Sequence, residues 1–219
     1  MDEDFSKEYI DDVPSTPVWR GSDYLLFYGK GSVKWEYDSS SQTFVHTNNP
    51  YSLYGYYFVT DATPTNDMTS VAQASGASTR ITTYDDYLLH EQELVSVNQS
   101  GREFFGEDFS GARPRTISTF SSIPGITGAD GKVTMRFISR INSGSGTASL
   151  SINDSELLDI TIPSIQTVSS NVRSYTKAIP GTTTALWKGS KSEKNNVVVS
   201  YSSSGHTNVR LDYIRMQFV

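Results

Sequence analysis

The feature that most constrains this chain is a strict two-residue alternation of apolar and polar side chains in its second half. It is clearest over residues 133–137, 148–152 and 158–162. This period places the apolar side chains on one face of a β-strand, with the polar ones facing solvent. Because such strands recur about every 10 residues with turn signals between them, the pattern predicts a two-sheet β-sandwich. Long connections between several strands favour a jelly-roll-like topology.

Composition supports an all-β fold and excludes several classes of protein. Serine and threonine together make up about a quarter of the 219 residues, and aromatic residues 12%. The chain has no cysteine, which rules out a disulfide framework, thiolate metal ligands and a cysteine nucleophile within it. The net charge is −6 and the sequence has no dense basic patch, so we expect no nucleic-acid partner. No apolar run is long enough for a membrane span.

Changes in composition divide the chain into four predicted parts. The aromatic run at residues 51–59 is expected to form a strand of the small sheet, and residues 84–91 to form a strand rather than a helical turn. The parts are an extended acidic lead-in (1–22), a small antiparallel β meander (23–61), a linker (62–78) and a jelly-roll-like β-sandwich (79–219).

The last predicted strand, residues 209–218, shows a slip in its apolar phase. Val209, Leu211 and Tyr213 share one parity, whereas the apolar residues after Tyr213 share the other. A β-bulge near Tyr213 or burial on both faces explains such a slip. We therefore expect this strand to lie inside a sheet with neighbours on both sides. Because the sequence stops within this apolar pattern, we interpret it as a segment of a longer protein.

No catalytic constellation is recognisable from spacing. His46, His90 and His206 are isolated in the sequence, so we interpret them as surface or turn residues. A glycosidase uses two carboxylates that face each other, and sequence alone shows no such pair. We interpret the candidate carboxylates as solvated loop residues and assign no catalytic residue; they are Asp85, Asp86, Glu91, Glu93, Glu103, Glu107 and Asp108.

Aromatic residues of the first half suggest an interaction surface. Trp35, Tyr54, Tyr56 and Tyr57 are interpreted as an aromatic interface, because some rings of an alternating run must face outward or towards a neighbouring domain. A sugar-stacking platform that also includes Trp19, Trp187 and Tyr51 is the alternative. No metal site or cofactor is expected, and a structural calcium ion held by loop carboxylates is a weaker alternative.

Residues 100–109, Ser-Gly-Arg-Glu-Phe-Phe-Gly-Glu-Asp-Phe, form the most unusual segment of the chain. Its two glycines permit backbone conformations that other residues avoid. Its phenylalanines, among them Phe104 and Phe105, can anchor the loop in the core, and Arg102 can pair with a carboxylate at Glu103, Glu107 or Asp108. We interpret the segment as a structural clamp, with an interaction surface as the alternative.

Four stretches in this order resemble the PorU family of gingipain-like cysteine peptidases, the sortases of the type IX secretion system in Bacteroidetes. They are residues 23–29, residues 49–58, residues 100–109 and Leu211-Asp212-Tyr213-Ile214. In that family the last stretch closes a β-rich region and the peptidase domain follows. The resemblance implies that this chain is the non-catalytic N-terminal β region, because the family's catalytic cysteine and histidine belong to the downstream domain.

The resemblance also implies partners and a location. The downstream peptidase domain would be the main partner, with secreted cargo or outer-membrane secretion components as further ones. The location would be the cell envelope, at the outer-membrane surface or in the periplasm. Two alternatives remain open, a carbohydrate-binding module of jelly-roll type and a hydrolase in its own right.

Overall fold

The computed structural model shows an all-β protein, which confirms the predicted fold class. The chain divides into two compact units, Met1–Thr82 and Thr83–Val219. The structure describes residues 15–61, 67–72, 75–76, 78–97, 101–141, 143–165, 178–188, 193–205 and 207–219.

The described residues of the first unit form two separate antiparallel ribbons. Strand β1 (Val18–Arg20) pairs with β2 (Leu25–Phe27), and β3 (Val33–Asp38) pairs with β4 (Thr43–Asn48). Tyr57 packs against Phe27 of β2 with ring centroids 5.2 Å apart. The antiparallel meander is therefore present as two ribbons rather than as one sheet.

Two details of the first unit differ from the sequence interpretation. Strand β1 lies within the predicted lead-in, whose residues 1–14 are outside the described residues. The predicted strand at residues 51–59 is wrong, since this stretch has no ladder partner in the described part of the chain. Strand propensity alone forms no strand without a neighbour to accept its hydrogen bonds. The predicted division into meander, linker and sandwich stays a prediction, because several linker residues are not described.

The described part of the second unit contains eight strands and one 3₁₀ helix of three residues, Ser118–Phe120. The strands are β5 (Asp86–Glu91), β6 (Arg115–Thr116), β7 (Gly131–Ile141), β8 (Ser145–Ile152), β9 (Ser155–Pro163), β10 (Ile179–Trp187), β11 (Val197–Ser203) and β12 (Thr207–Phe218).

These strands form two four-stranded antiparallel sheets. Sheet I has the order β10-β7-β12-β5, and sheet II has the order β6-β11-β8-β9. The inward faces of both sheets bury apolar side chains in one core. At its centre Phe137 of β7 stacks on Tyr201 of β11, with centroids 6.5 Å apart and planes only 6° from parallel. The predicted β-sandwich is thus confirmed.

Strand β12 is the central strand of sheet I. It pairs with β7 along one edge and with β5 along the other. Its register against β7 shifts between Leu211 and Tyr213, which makes Asp212 the extra residue of a bulge. Both the central position and the bulge confirm what the phase slip in the sequence predicted.

Strand β10 was not recognised in the sequence, because Pro180 and Gly181 interrupt its pattern. The glycine is required by a close approach between the sheets. A Cβ at position 181 would lie 2.5 Å from Cγ2 of Ile160 on β9. A residue that weakens the strand signal therefore permits β10 and β9 to pack closely.

Leu211→Ala should test the central position of β12. The side chain is fully buried, so we expect the free energy of unfolding to fall by about 2 to 5 kcal/mol. Leu186→Ala on β10, where the side chain is 49% exposed, should cost less than about 1 kcal/mol. Urea unfolding of both variants measures the difference. Equal losses would show that β12 is not a central core strand.

Candidate functional site

Residues 105–109 form backbone hydrogen bonds with the part of β12 that does not pair with β5. Strand β5 pairs only with Tyr213–Phe218. Beyond it, the Gly106 N–H donates to the Leu211 carbonyl at 2.8 Å, and the Leu211 N–H donates to the Glu107 carbonyl at 3.1 Å. The Phe109 N–H donates to the Val209 carbonyl at 2.9 Å. The unusual segment of the sequence is therefore a backbone extension of sheet I.

Two phenylalanines anchor this segment and one does not. Phe105 is fully buried in a small cluster on the outer side of sheet I with Val97, Ile138 and Ala178. Phe109 is buried in the main core. Phe104 directly precedes Phe105 in the sequence and is 36% exposed.

Gly106 lies in a crowded position between Gln92 and β12. A Cβ there would lie 3.1 Å from Cβ of Gln92 and 3.3 Å from the Leu211 carbonyl oxygen. A side chain at this position would therefore require the neighbouring atoms to move by a few tenths of an ångström.

The three carboxylates of the segment each pair with a cation or a histidine on sheet I. Glu103 lies 3.3 Å from Arg136 on β7, and Asp108 lies 3.5 Å from Arg210 on β12. Glu107 lies 2.7 Å from Nε2 of His90 on β5. The segment is thus held by one charged contact to each of three strands, whereas Arg102 is exposed to solvent.

Arg136 also pairs with Asp212, the extra residue of the bulge. Its Nη1 donates to Oδ2 of Asp212, and its guanidinium lies over the Phe105 ring at 5.9 Å. Asp212 is only 4% exposed. Burial raises the pKa of Asp212 to about 6, because it opposes the charged form more strongly than Arg136 favours it, and Glu91 and Glu93 raise it further.

Burial and the neighbouring carboxylates have opposite effects on the pKa of Arg136. Burial lowers the pKa of Arg136, but Asp212 and Glu103 outweigh burial and raise it. The guanidinium therefore stays charged, and the pKa shift that matters near neutral pH is that of Asp212.

The interpretation of His90 as a surface or turn residue is wrong. Its Nδ1 lies 2.8 Å from the hydroxyl of Thr119 in the 3₁₀ helix, and its Nε2 contacts Glu107. Its side chain is only 12% exposed. The sequence could not show this, because 17 and 29 residues separate His90 from its two partners. His46 is half-buried against Trp35, and His206 lies outside the described residues.

Glu107 is held in its charged form by this contact. Burial acts to raise its pKa, but the hydrogen bond with His90, the backbone and the neighbouring charges lower the pKa below the ordinary value. The order hydroxyl, imidazole, carboxylate is the order of groups in a nucleophilic hydrolase. In this protein the contacts of His90 with Thr119 and Glu107 also connect β5 to the 3₁₀ helix and to the unusual segment.

The remaining acidic candidates do not form a metal centre in the described residues. No three His, Asp or Glu side chains there converge in a way that could hold an ion. A calcium ion stays an untested alternative. Glu91 and Glu93 contribute to the negative field around Asp212.

The predicted aromatic residues have different environments. Trp35 is half-buried on β3 with its ring 5.4 Å from His46, and Tyr57 is fixed against Phe27. Tyr54 and Tyr56 are each 68% exposed. Their role as an interface stays a prediction.

Comparison with solved structures shows an informative similarity to part of a much longer protein. The whole chain superposes on a part of dimeric latent PorU from Porphyromonas gingivalis with a TM-score of 0.74 and 29% sequence identity. It covers 20% of that chain, so it spans about a fifth of the solved protein. This finding confirms the predicted resemblance to a region of PorU. No protein-family model and no curated protein matches the chain.

Two carbohydrate-binding modules superpose only loosely. The module from Cellvibrio mixtus lichenase 5A has a TM-score of 0.27 and 14% identity over 51% of this chain and 69% of its own. The module from Cellvibrio japonicus Abf62 has a TM-score of 0.33 and 16% identity over 60% of this chain and 92% of its own. Neither similarity is close enough to indicate a shared site.

Phe105→Ala should destabilise the protein because it empties a fully buried position. We expect a loss of about 3 to 5 kcal/mol in the free energy of unfolding. Phe104→Ala is the matched control one residue away, and its partly exposed ring should contribute less. Arg102→Ala should cost about 0 to 1 kcal/mol, as exposed charges do. Wild-type thermal unfolding in Phe105→Ala would show that the segment is not an anchor.

The raised pKa of Asp212 predicts a pH-dependent effect of Asp212→Asn. Between about pH 4 and pH 6 the folded protein keeps a proton that the unfolded chain, with an ordinary pKa of 3.8, has released. The stability that this group contributes is therefore greatest below about pH 4 and is lost as the pH rises through about 6. The change is on the order of 3 kcal/mol for a shift of this size.

Urea unfolding of the wild type and of Asp212→Asn across this range measures the effect. The advantage of the wild type should shrink as the pH rises. Asp159→Asn, which removes an exposed carboxylate on β9, is the control for the loss of one charge. An advantage that grows with pH would mean that attraction to Arg136 outweighs burial.

Proposed function

We propose, from the similarity of the whole chain to a region of PorU, that it is a non-catalytic accessory region of a gingipain-like cysteine peptidase and supports the peptidase domain. The observation that carries this proposal is the superposition of the full chain, at a TM-score of 0.74, on a fifth of a much longer protein. A region of that size with its own sandwich core is a natural scaffold for a neighbouring domain.

The chemistry of the chain supports a non-catalytic role. A cysteine peptidase requires a thiolate, and the chain contains no cysteine. The carboxylates of residues 103–108 are engaged with Arg136, His90 and Arg210 and hold the segment against sheet I. Paired carboxylates in these positions serve structure.

The wider role follows from the same resemblance. We propose that the longer protein acts in type IX protein secretion as a sortase in the cell envelope, and that this region helps to present secreted cargo to it. No helix in the described residues has the length and apolar character of a membrane span.

A second candidate function is hydrolysis by the chain itself, since Thr119, His90 and Glu107 form a hydrogen-bonded series. The hydroxyl would be the nucleophile and the imidazole its base. A carbohydrate-binding role has less support. The described sandwich buries Trp187, while the exposed Trp19 and Tyr54 lie in the first unit and not on a sheet of the sandwich.

The purified chain should show no peptidase or esterase activity. Peptide substrates and p-nitrophenyl acetate should be hydrolysed at the buffer rate, because the chain has no cysteine and the contacts of His90 with Thr119 and Glu107 connect structural elements. Thr119→Val and His90→Asn are the matched controls. Activity that survives repurification in the wild type and disappears in both variants would replace the accessory role with the second candidate.

A graft tests the supporting role directly. This chain replaces the matching fifth of PorU from Porphyromonas gingivalis, and a protein from which that fifth is deleted serves as the reference. We expect the graft to be soluble and to keep the thermal stability of the remaining domains, whereas the deletion should lower it. A graft that behaves like the deletion would contradict the proposal.

A further inference from the structure

The part of the first unit that the structure describes has no buried apolar core. Among its described residues no apolar side chain is buried, and the buried residue there is Thr43 at 7% exposure. The buried apolar residues of the described chain begin at Val97. Isolated two-stranded ribbons are marginally stable in water, because they bury too little apolar surface to offset the loss of chain entropy.

Residues 54–59 expose large apolar side chains. Tyr54 and Tyr56 are each 68% exposed, Phe58 is 86% exposed and Val59 is 80% exposed. The rings of Tyr54 and Tyr56 lie 6.4 Å apart, and large exposed apolar side chains close together mark interaction surfaces. We name the surface formed by Tyr54, Tyr56 and Phe58 the aromatic patch.

The aromatic patch is held in place by its neighbours in the chain. Tyr57 packs on Phe27, its hydroxyl donates to the Lys30 carbonyl at 3.2 Å, and the Lys30 N–H bonds to the same hydroxyl. The Ser52 hydroxyl bonds to the backbone of Tyr54 at 3.0 and 3.1 Å. These contacts define the local conformation from which the exposed rings project.

The composition of residues 51–59 indicates which kind of partner surface the aromatic patch would bind. Residues 51–59 carry no charged side chain, so the partner surface must be apolar, with acceptors for the tyrosine hydroxyls. Aromatic anchors of this kind dominate the energetics of protein interfaces. A highly charged polymer would find no complementary charge in this stretch.

We infer that the aromatic patch is the docking surface for the folded remainder of the longer protein, an inference that rests on the proposed function. The solved PorU chain is about five times the length of the matching region, so most of such a protein lies outside this chain. A tethered partner is present at an effective concentration in the millimolar range, which favours it over a second copy of the chain.

Hydrogen exchange of residues 51–59 tests this inference in the isolated chain and in the graft described above. Amide exchange in this stretch should be about tenfold slower in the graft, because docking protects the backbone. Tyr54→Ser, Tyr56→Ser and Phe58→Ser together should remove the protection. Tyr84→Ser with Leu186→Ser, which changes exposed residues of the sandwich at 72% and 49%, is the matched control and should retain it.

The outcomes distinguish failure of the inference from failure of the proposed function. A folded graft without protection would overturn the inference and leave the proposed function intact, whereas a graft that does not fold would overturn both. Protection already present in the isolated monomer would also overturn the inference. Protection that rises with protein concentration, together with a dimer in light scattering, would assign the patch to a second copy. Protection by cellohexaose would assign it to a sugar.

Discussion

The structure of the sandwich depends on one requirement, that the central strand β12 has hydrogen-bond partners along both edges. β7 satisfies one edge, but β5 reaches only from Tyr213 to Phe218 on the other. A buried backbone group without a partner costs about as much free energy as a lost hydrogen bond. Residues 105–109 remove this deficit by pairing with Val209 and Leu211. The position of the segment is therefore a consequence of a short neighbouring strand.

The charged contacts follow from that backbone pairing. Once the segment lies along β12, its carboxylates face Arg136, His90 and Arg210 on three strands. The bulge adds Asp212 next to Arg136, at the point where β5 ends and the segment begins. Removing one partner of such a buried pair is costly, because the other charge is left without compensation. The same backbone pairing thus brings ionisable groups to both faces of sheet I, because Arg210 pairs with Ile138 of the outer cluster whereas His90 pairs with the core residue Ile214.

Much of the sandwich could be predicted from the sequence, because its signals are local. The alternation over residues 133–137 and 158–162 and the phase slip at Tyr213 each depend on neighbours a few positions away. The charged contacts were not predictable, since 76 residues separate Arg136 from Asp212. The sequence pattern does not indicate β10, because Gly181 has a low strand propensity. The glycine is present because the two sheets pack closely at this position. The aromatic run at residues 51–59 has a strong β-propensity that wrongly predicted a strand. In the described part of the chain no neighbouring strand pairs with it.

The central claim is that the sandwich carries the folding energy of the isolated chain and that the first unit, whose described residues bury no apolar side chain, adds almost none. Differential scanning calorimetry of the full chain tests it most directly. An unfolding enthalpy near 60 °C of about 100 kcal/mol corresponds to Thr83–Val219 alone, and about 150 kcal/mol corresponds to all 219 residues. The account predicts a single transition near the lower value. A value near the upper one would show that the first unit is cooperatively folded in the isolated chain and would contradict the account.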